Sequence, residues 1–383
     1  MSCARSAAFV TAADEVSPKP FVTADRRLTS SVVDATPDVA PETRRAVEAA
    51  IAEVGFQPSA VARSLVQRRS NTLGVVAAGL RFFGVSQTLN GITEACEDAG
   101  YALLLKELRS FEAPDIVPVL DMLSAHRVEG IIFDGSQLRT SARLIQERLP
   151  ATCPPIVFLK CEPSISFTTI GIDNYGGERA LTEHLIASGR RRIGYISGPL
   201  ERLEARQRRE AWLDTMRTAH LEPGPFAEGN WSSASGEASF AALLAGDPDL
   251  DAIVAANDQM ALGVLHAASE RGIHVPEQIA VVGFDGLPES AQFIPALTTV
   301  SQPLRELGIT AVQQVLAQVN GDPGARSRTI TLPTELIVRD SAPAAVHAPA
   351  SATPPKRSFR ICMSIVEPAT SEVPELLLPV TSS

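Results

Sequence analysis

Long apolar runs are missing from this sequence. No window approaches the roughly 18 consecutive apolar residues of a membrane span, and the opening MSCARSAAFVTAADEVSPK lacks the apolar stretch of a secretory signal. Cysteine is sparse and unpatterned. Cys3, Cys96, Cys153, Cys161 and Cys362 are an odd, scattered set without CxxC spacing, which reads as free thiols in a reducing cytosol and not as a disulfide framework or zinc site. The six histidines are dispersed, so no metal-spaced His/Cys cluster exists. A phosphate-cradling glycine loop and a GxSxG nucleophile turn are also absent, which leaves an enzyme without support and implies neither cofactor nor metal. Aromatics make up only 5% of the chain and include two tryptophans.

What is present is enough for a globular protein. The 383 residues are 45% hydrophobic and 20% charged, sufficient for two or more cores. A net charge of −10 argues against a protein that coats nucleic acid along its whole surface. It leaves room for a local basic element, because phosphate contacts depend on where charge sits. Between Val39 and Leu73 the bases Arg44, Arg45, Arg63, Arg68 and Arg69 face the acids Glu42, Glu48 and Glu53, an excess that also suits an ordinary solvated helix.

From Thr72 to about Asp340, short β-rich runs alternate with amphipathic stretches. The runs include LGVVAAG (73–79), YALLLKEL (101–108), GIIFDG (130–135), PIVFL (155–159), TTIGID (168–173), RIGYISG (192–198), AIVAAN (252–257), IAVVGFD (279–285) and TTVSQP (298–303). Alternation of this kind specifies α/β architecture with parallel sheets covered on both faces. The loops after the strands then share one edge, where ligands bind. Roughly 270 residues are too many for one doubly wound sheet, so two lobes with a cleft are expected, split near 168–172 and rejoined near 298–303. Beyond Ser341 the composition turns Pro/Ala-rich, APAAVHAPASATPPKRS, and reads as a disordered tail over 341–383.

Four segments carry a resemblance: TRRAVEAAIAEVGFQPSAVARSL; IGYISGP (193–199) with ARQRREAW (205–212); AANDQMALGVLHAASERGIHVPEQIAVVGFDG (255–286); and IPALTTVSQPLRELG (294–308) with LPTELIVRD (332–340). Together they resemble the lactose-repressor/galactose-repressor family of bacterial transcription regulators, over about residues 38–340. NWSSASG (230–236) leans toward the lactose-type sensors. The resemblance implies a periplasmic-binding-protein-like sensor core of two doubly wound parallel sheets, preceded by a small all-α DNA-binding headpiece. It divides the chain into a headpiece (1–58), a hinge helix and linker (59–71) and a two-lobed effector domain. Lobe one is expected over about 72–168 plus 303–340, and lobe two over about 169–298.

Function follows from the resemblance as an expectation: a sugar-responsive regulator, read as a repressor. Its partners would be a pseudo-palindromic operator, a sugar or sugar derivative, and a second copy of the chain in a homodimer, with a tetramer as the larger alternative. No membrane partner is implied. In the family the hinge helix forms on DNA and wedges a leucine between base pairs of the minor groove. Leu65 matches that leucine and Ala62, one turn before it, allows close approach. Ser59 and Arg63 would touch backbone or groove edges, unless ARSL is only a linker helix.

For the effector, sugars call for a flat stacking surface and multidentate polar groups. Trp231 in its polar loop is a stacking platform or ordinary core. Asn257 and Asp285 end apolar strands where an α/β cleft presents ligand contacts, although Asn257 also suits a helix N-cap. Arg208 matches the family's effector-gripping arginine, yet its neighbours Arg202, Arg206 and Arg209 make a solvated helix face an alternative. Ser86 is a donor from a helix N-terminus or a plain cap. Gln302 and Asp134 match cleft positions, and Asp173 reads as a cap.

The headpiece departs from the family pattern, which reads approximately VTxxDVAxxAGVSxxTVSRVLN. Val10, Thr11 and Asp14 match its start and SSVVDATPDV its end. Between them stand Pro18 and Pro20, which a helix interior does not tolerate, and the AGVS turn is missing. A sugar sensor that has lost specific DNA binding is therefore the competing expectation.

Overall fold

The computed structural model describes residues 40–53, 69–108, 117–135, 153–164 and 166–344. The first described element, helix α1 (Pro41–Glu53), opens with proline and carries Glu42 in its first turn. Both features suit a helix start, where an N–H is unpaired and the dipole favours an acid. Ser59, Ala62, Arg63 and Leu65, and the headpiece before residue 40, lie outside the described residues. So does the chain from 345 onward.

The first sheet runs β11-β5-β4-β3-β1-β2, with every pairing parallel. Its strands are β1 (Thr72–Ala78), β2 (Ala102–Leu108), β3 (Gly130–Asp134), β4 (Ile156–Leu159), β5 (Thr168–Ile172) and β11 (Thr329–Leu332). Alternate side chains of its central strands feed two separate cores, as a two-faced sheet demands. Leu73, Val75, Ile132, Val157 and Leu159 pack beneath helices α2 (Phe83–Asp98) and α8 (Leu304–Val319). Val76, Ile131, Phe133, Ile156 and Phe158 pack on the opposite face against α3 (Val117–Ala125). Helices α2 and α8 touch backbone to backbone, since a Cβ on Gly91 would lie 2.0 Å from the Arg305 carbonyl oxygen.

The second sheet runs β7-β6-β8-β9, also parallel, from β6 (Ile193–Ser197), β7 (Phe226–Glu228), β8 (Ala252–Ala255) and β9 (Ala280–Val282). Helices α4 (Asn174–Ala187), α5 (Leu203–Thr218), α6 (Ser233–Gly246) and α7 (Asp258–Glu270) contribute to one continuous core with it, which includes Leu181, Tyr195, Trp212, Phe240, Val254 and Val264. A short antiparallel pair, β10 (Thr299–Ser301) with β12 (Glu335–Ile337), lies beside this lobe.

Strand pairing moves three of the expected boundaries. β5 (Thr168–Ile172) belongs entirely to the first sheet, so the first crossing comes at Asp173, at the far edge of the expected 168–172 and past the 168 that closed lobe one. The return segment expected to stay in lobe one to 340 leaves it after Leu332, because β12 pairs with β10. The tail expected from 341 begins later. Ser341 is fully buried and Ala342 nearly so, and the Ser341 hydroxyl donates to the Val281 carbonyl at 2.6 Å. Asp173 does cap its helix, its carboxylate accepting from the Gly176 N–H at 2.8 Å.

Candidate functional site

A cavity of about 500 Å³ opens between the two sheets and is lined from both lobes and from two of the chain crossings. Several of its polar residues stand at or just after C-terminal strand ends, where right-handed βαβ crossovers gather the loops. Asp134 ends β3 and Lys160 follows β4. Trp231 follows β7, Asn257 follows β8 and Asp285 follows β9. Six of the seven effector candidates therefore share one cavity: Asp134, Arg208, Trp231, Asn257, Asp285 and Gln302.

Ser86 is the exception. Helix α2 starts three residues before it, on a Phe82 cap position that makes no side-chain cap bond. The Ser86 hydroxyl turns back to donate to the Phe83 carbonyl at 3.0 Å. It neither caps the helix nor lines the cavity.

Arg208 is only 3% exposed, which removes the solvated-helix alternative. Its Nε donates to Asn174 Oδ1 at 3.0 Å and its Nη1 to the Ala256 carbonyl at 2.6 Å. The same Nη1 lies 3.5 Å from Asp285 Oδ1, and the guanidinium stacks 3.7 Å above the Phe284 ring. Gln302 Nε2 donates to Asp285 Oδ1 at 2.6 Å. A continuous polar chain thus runs Asn174–Arg208–Asp285–Gln302. Its ends stand at the crossings after β5 and β10.

Asn257 does what its alternative predicted and lines the cavity as well. Its Oδ1 accepts from the Met260 N–H at 2.9 Å, capping α7, while its Nδ2 donates to the Trp231 carbonyl at 3.1 Å. That bond holds the loop that carries the indole. Trp231 packs partly buried against the second-lobe core, its ring against the backbone of Gly198, where a Cβ would fall 2.1 Å from the indole.

Burial dominates the electrostatics. It pushes the Asp285 carboxyl up to about 7, opposed by the Arg208 guanidinium and reinforced by Asp258. Beneath the cleft, Glu178 is fully buried with one carboxyl oxygen unpartnered, and burial pushes it up to about 8 against the pull of Arg208. Backbone strain gathers here too. Of seven described non-glycine residues with positive φ, three line the cavity: Lys160 (53°), Trp231 (71°) and Asp285 (121°). Each such conformation costs on the order of 1–3 kcal/mol and concentrates where a side chain must be aimed.

Comparison with known proteins gives the same picture. Residues 182–342 match the periplasmic binding protein-like domain. The lactose operon repressor of Escherichia coli (strain K12) is 31% identical over 310 residues, 81% of this chain and 85% of that protein. The chain belongs to the lactose-repressor/galactose-repressor family. Another member, the HTH-type transcriptional repressor PurR of Mannheimia succiniciproducens, is 30% identical over 315 residues, 82% of this chain and 93% of that one. Among solved family structures, a lac repressor dimer bound to operator and the anti-inducer ONPF superposes with a TM-score of 0.75 at 31% identity. It covers 83% of this chain and 95% of that chain. A complex of the transcriptional regulator CelR with cellobiose gives 0.64 at 28% identity, over 82% and 94%.

Other cavity residues escaped the sequence reading, among them Lys160, Asn174 and Phe82. Lys160 obeys the same strand-end rule as Asn257, since it directly follows the run PIVFL. Asn174 was absorbed into a capping motif. Phe82 precedes α2 in a segment that reads as loop. No helix among the described residues is long and apolar enough to cross a membrane, and no metal-holding group of His, Cys, Asp and Glu occurs among them.

Proposed function

We propose that this protein is a cytoplasmic, effector-responsive transcription regulator, a repressor that works as a homodimer and carries no catalytic chemistry. A sugar enters the interlobe cavity, stacks on Trp231 and hydrogen-bonds to Arg208, Asn257, Asp285 and Gln302. Its relatives support the regulatory half of this reading: one solved homologue is a dimer bound to operator, and another holds cellobiose. The observation that carries the sensing half is the chain Asn174–Arg208–Asp285–Gln302. A ligand that hydrogen-bonds to Arg208 or Asp285 alters the groups that tie two crossings together, and so alters the angle between the lobes. Repression is relieved when the effector prefers the lobe angle that separates the two hinge segments.

The test is a gel shift with the DNA upstream of neighbouring genes, with and without sugars, on the wild type and Leu65→Ala. A retarded band that a sugar abolishes, and that Leu65→Ala loses while keeping its sugar, is the expected result. No retarded band even at low salt would reduce the protein to a sugar sensor without an operator. The proline-interrupted stretch around Pro18 and Pro20 is what favours that second reading.

A further inference from the structure

The first-lobe wall of the cavity holds an ion pair that the sequence reading did not assign. Lys160 Nζ donates to Asp134 Oδ2 at 3.0 Å and to the Gly84 carbonyl at 3.3 Å. The two side chains are 16% and 6% exposed. Adjacent strands present them together, since Asp134 stands opposite Leu159, the residue before Lys160. The lysine's left-handed backbone (φ 53°) is anchored by its own N–H to the Ile170 carbonyl at 2.9 Å. Two of the three ammonium protons are thereby used, and one donor remains. On Asp134, lone pairs remain to accept.

The second-lobe wall follows the same pattern. Arg208 is matched by Asp285 at 3.5 Å, and Arg202 by Glu204 at 3.9 Å. Each cation that is buried in the cavity wall thus already faces a carboxylate. Arg81, the remaining cation, is exposed to solvent and lies 4.6 Å over the Phe82 ring, where screening is strongest.

We infer that Lys160 and Asp134 form the first-lobe half of the effector site and select an uncharged polyol against acidic sugars and sugar phosphates. Neighbouring hydroxyls find one donor and one acceptor side by side, and the pair stays intact. An anionic group must instead draw Lys160 away from Asp134, leaving a nearly buried carboxylate uncompensated, or lie beside that carboxylate as a like charge. Either route removes affinity, so charge pairing acts as a filter on ligand class. The inference rests on the proposed reading that the effector is a sugar.

The test uses the full-length protein and matched probes: glucose, lactose and cellobiose against glucuronate, lactobionate, cellobionate and glucose 6-phosphate. Thermal shift screens them, and calorimetry measures those that bind. For the wild type, at least one neutral sugar should bind, tenfold or more tighter than its acidic counterpart. Asp134→Asn removes the compensating charge and should move that ratio at least tenfold toward the acidic probe. Lys160→Met should weaken the neutral sugar at least tenfold while circular dichroism remains that of the wild type. A wild type that prefers the acidic probe overturns the inference, as does a folded Asp134→Asn protein with an unchanged ratio. Absence of binding by every probe, neutral or acidic, overturns the sugar reading itself and the selectivity with it.

Discussion

The indole of Trp231 lies on the backbone of Gly198, so close that a methyl group there would sit 2.1 Å from the ring. Gly198 follows β6 and Trp231 follows β7, neighbouring parallel strands. The glycine is therefore a seat for the aromatic side chain. Its φ is not in the left-handed region, so the backbone accepts alanine, and the three atoms nearest the added methyl all belong to the ring.

Gly198→Ala should therefore displace Trp231 while the fold remains. Sugar affinity is expected to fall at least tenfold, about 1.4 kcal/mol. Trp231 emission, read in a Trp212→Phe background, should already resemble that of exposed indole before sugar is added. Unchanged affinity and emission would show that the ring has another resting place.

Arg208 combines four contacts that lysine cannot reproduce together, because only a guanidinium is planar, forked and able to stack. Arg208→Lys should keep a positive charge near Asp285 and Glu178 yet lose the bond to Asn174 or that to the Ala256 carbonyl. It should fold with modest loss of stability and no sugar response. Arg208→Ala leaves buried carboxyl groups without their cation, a change worth about 3–5 kcal/mol. The lower end is expected, since Asp285 sits close enough to neutrality to take up a proton. Urea denaturation of both variants, with sugar titrations on Arg208→Lys, checks the pair.

Three buried acids set a pH dependence of definite sign. Burial pushes Asp258 up to about 6, Asp285 to about 7 and Glu178 to about 8, from ordinary values of 3.8, 3.8 and 4.5. Between pH 4 and 8 the folded chain thus holds more protons at these sites than the unfolded chain. Their contribution to stability is complete below the ordinary values and is lost as pH rises through 6 to 8. The sugar-free protein should have a lower urea midpoint at pH 8.5 than at pH 5.5. Asp285→Asn and Glu178→Gln should each flatten that slope. A midpoint that rises over the same interval would contradict the burial argument.

Much of this site was legible because its chemistry sits where apolar runs stop. Asn257, Asp285 and Asp134 each mark the polar end of a buried strand, and parallel topology brings such ends together. Lys160 was readable by the same rule, but long flexible cations at strand ends are ordinarily solvated. The Asp134 carboxylate on the adjacent strand and the Gly84 carbonyl show that this one is held. The burial of Arg208 was not legible among four arginines of one segment. It is decided by Asn174 and Asp285, which are distant in sequence. Ser86 was misplaced because α2 begins without a capping side chain to announce it. The lobe boundary near 332 was obscured because β11 and β12 are only four and three residues long, too short for periodicity to show.

The C-terminal limit of the folded unit provides the last test. Ser341 and Ala342 close the second lobe through backbone and side chain. Ser341 accepts from the Val281 N–H at 3.1 Å through its carbonyl and from the Thr298 N–H at 2.8 Å through its hydroxyl. The Ala342 carbonyl accepts from Thr298 Oγ1 at 3.1 Å and from His184 Nε2 at 2.8 Å. Ending the chain after Asp340 removes these acceptors from the buried N–H groups of Val281 and Thr298, at about 1–3 kcal/mol for each one that water does not reach, and from the part-buried His184 ring, while the Thr298 hydroxyl keeps only the Arg339 carbonyl. Such a truncation should lower the melting temperature by several degrees and weaken sugar binding, because Asp285 and Gln302 are carried by the same loops. Ending the chain after Ala344 preserves every one of these bonds and should match the full chain in melting temperature and sugar affinity. Equal stability of the two truncations would mean that Ser341 and Ala342 are not the clasp their hydrogen bonds describe.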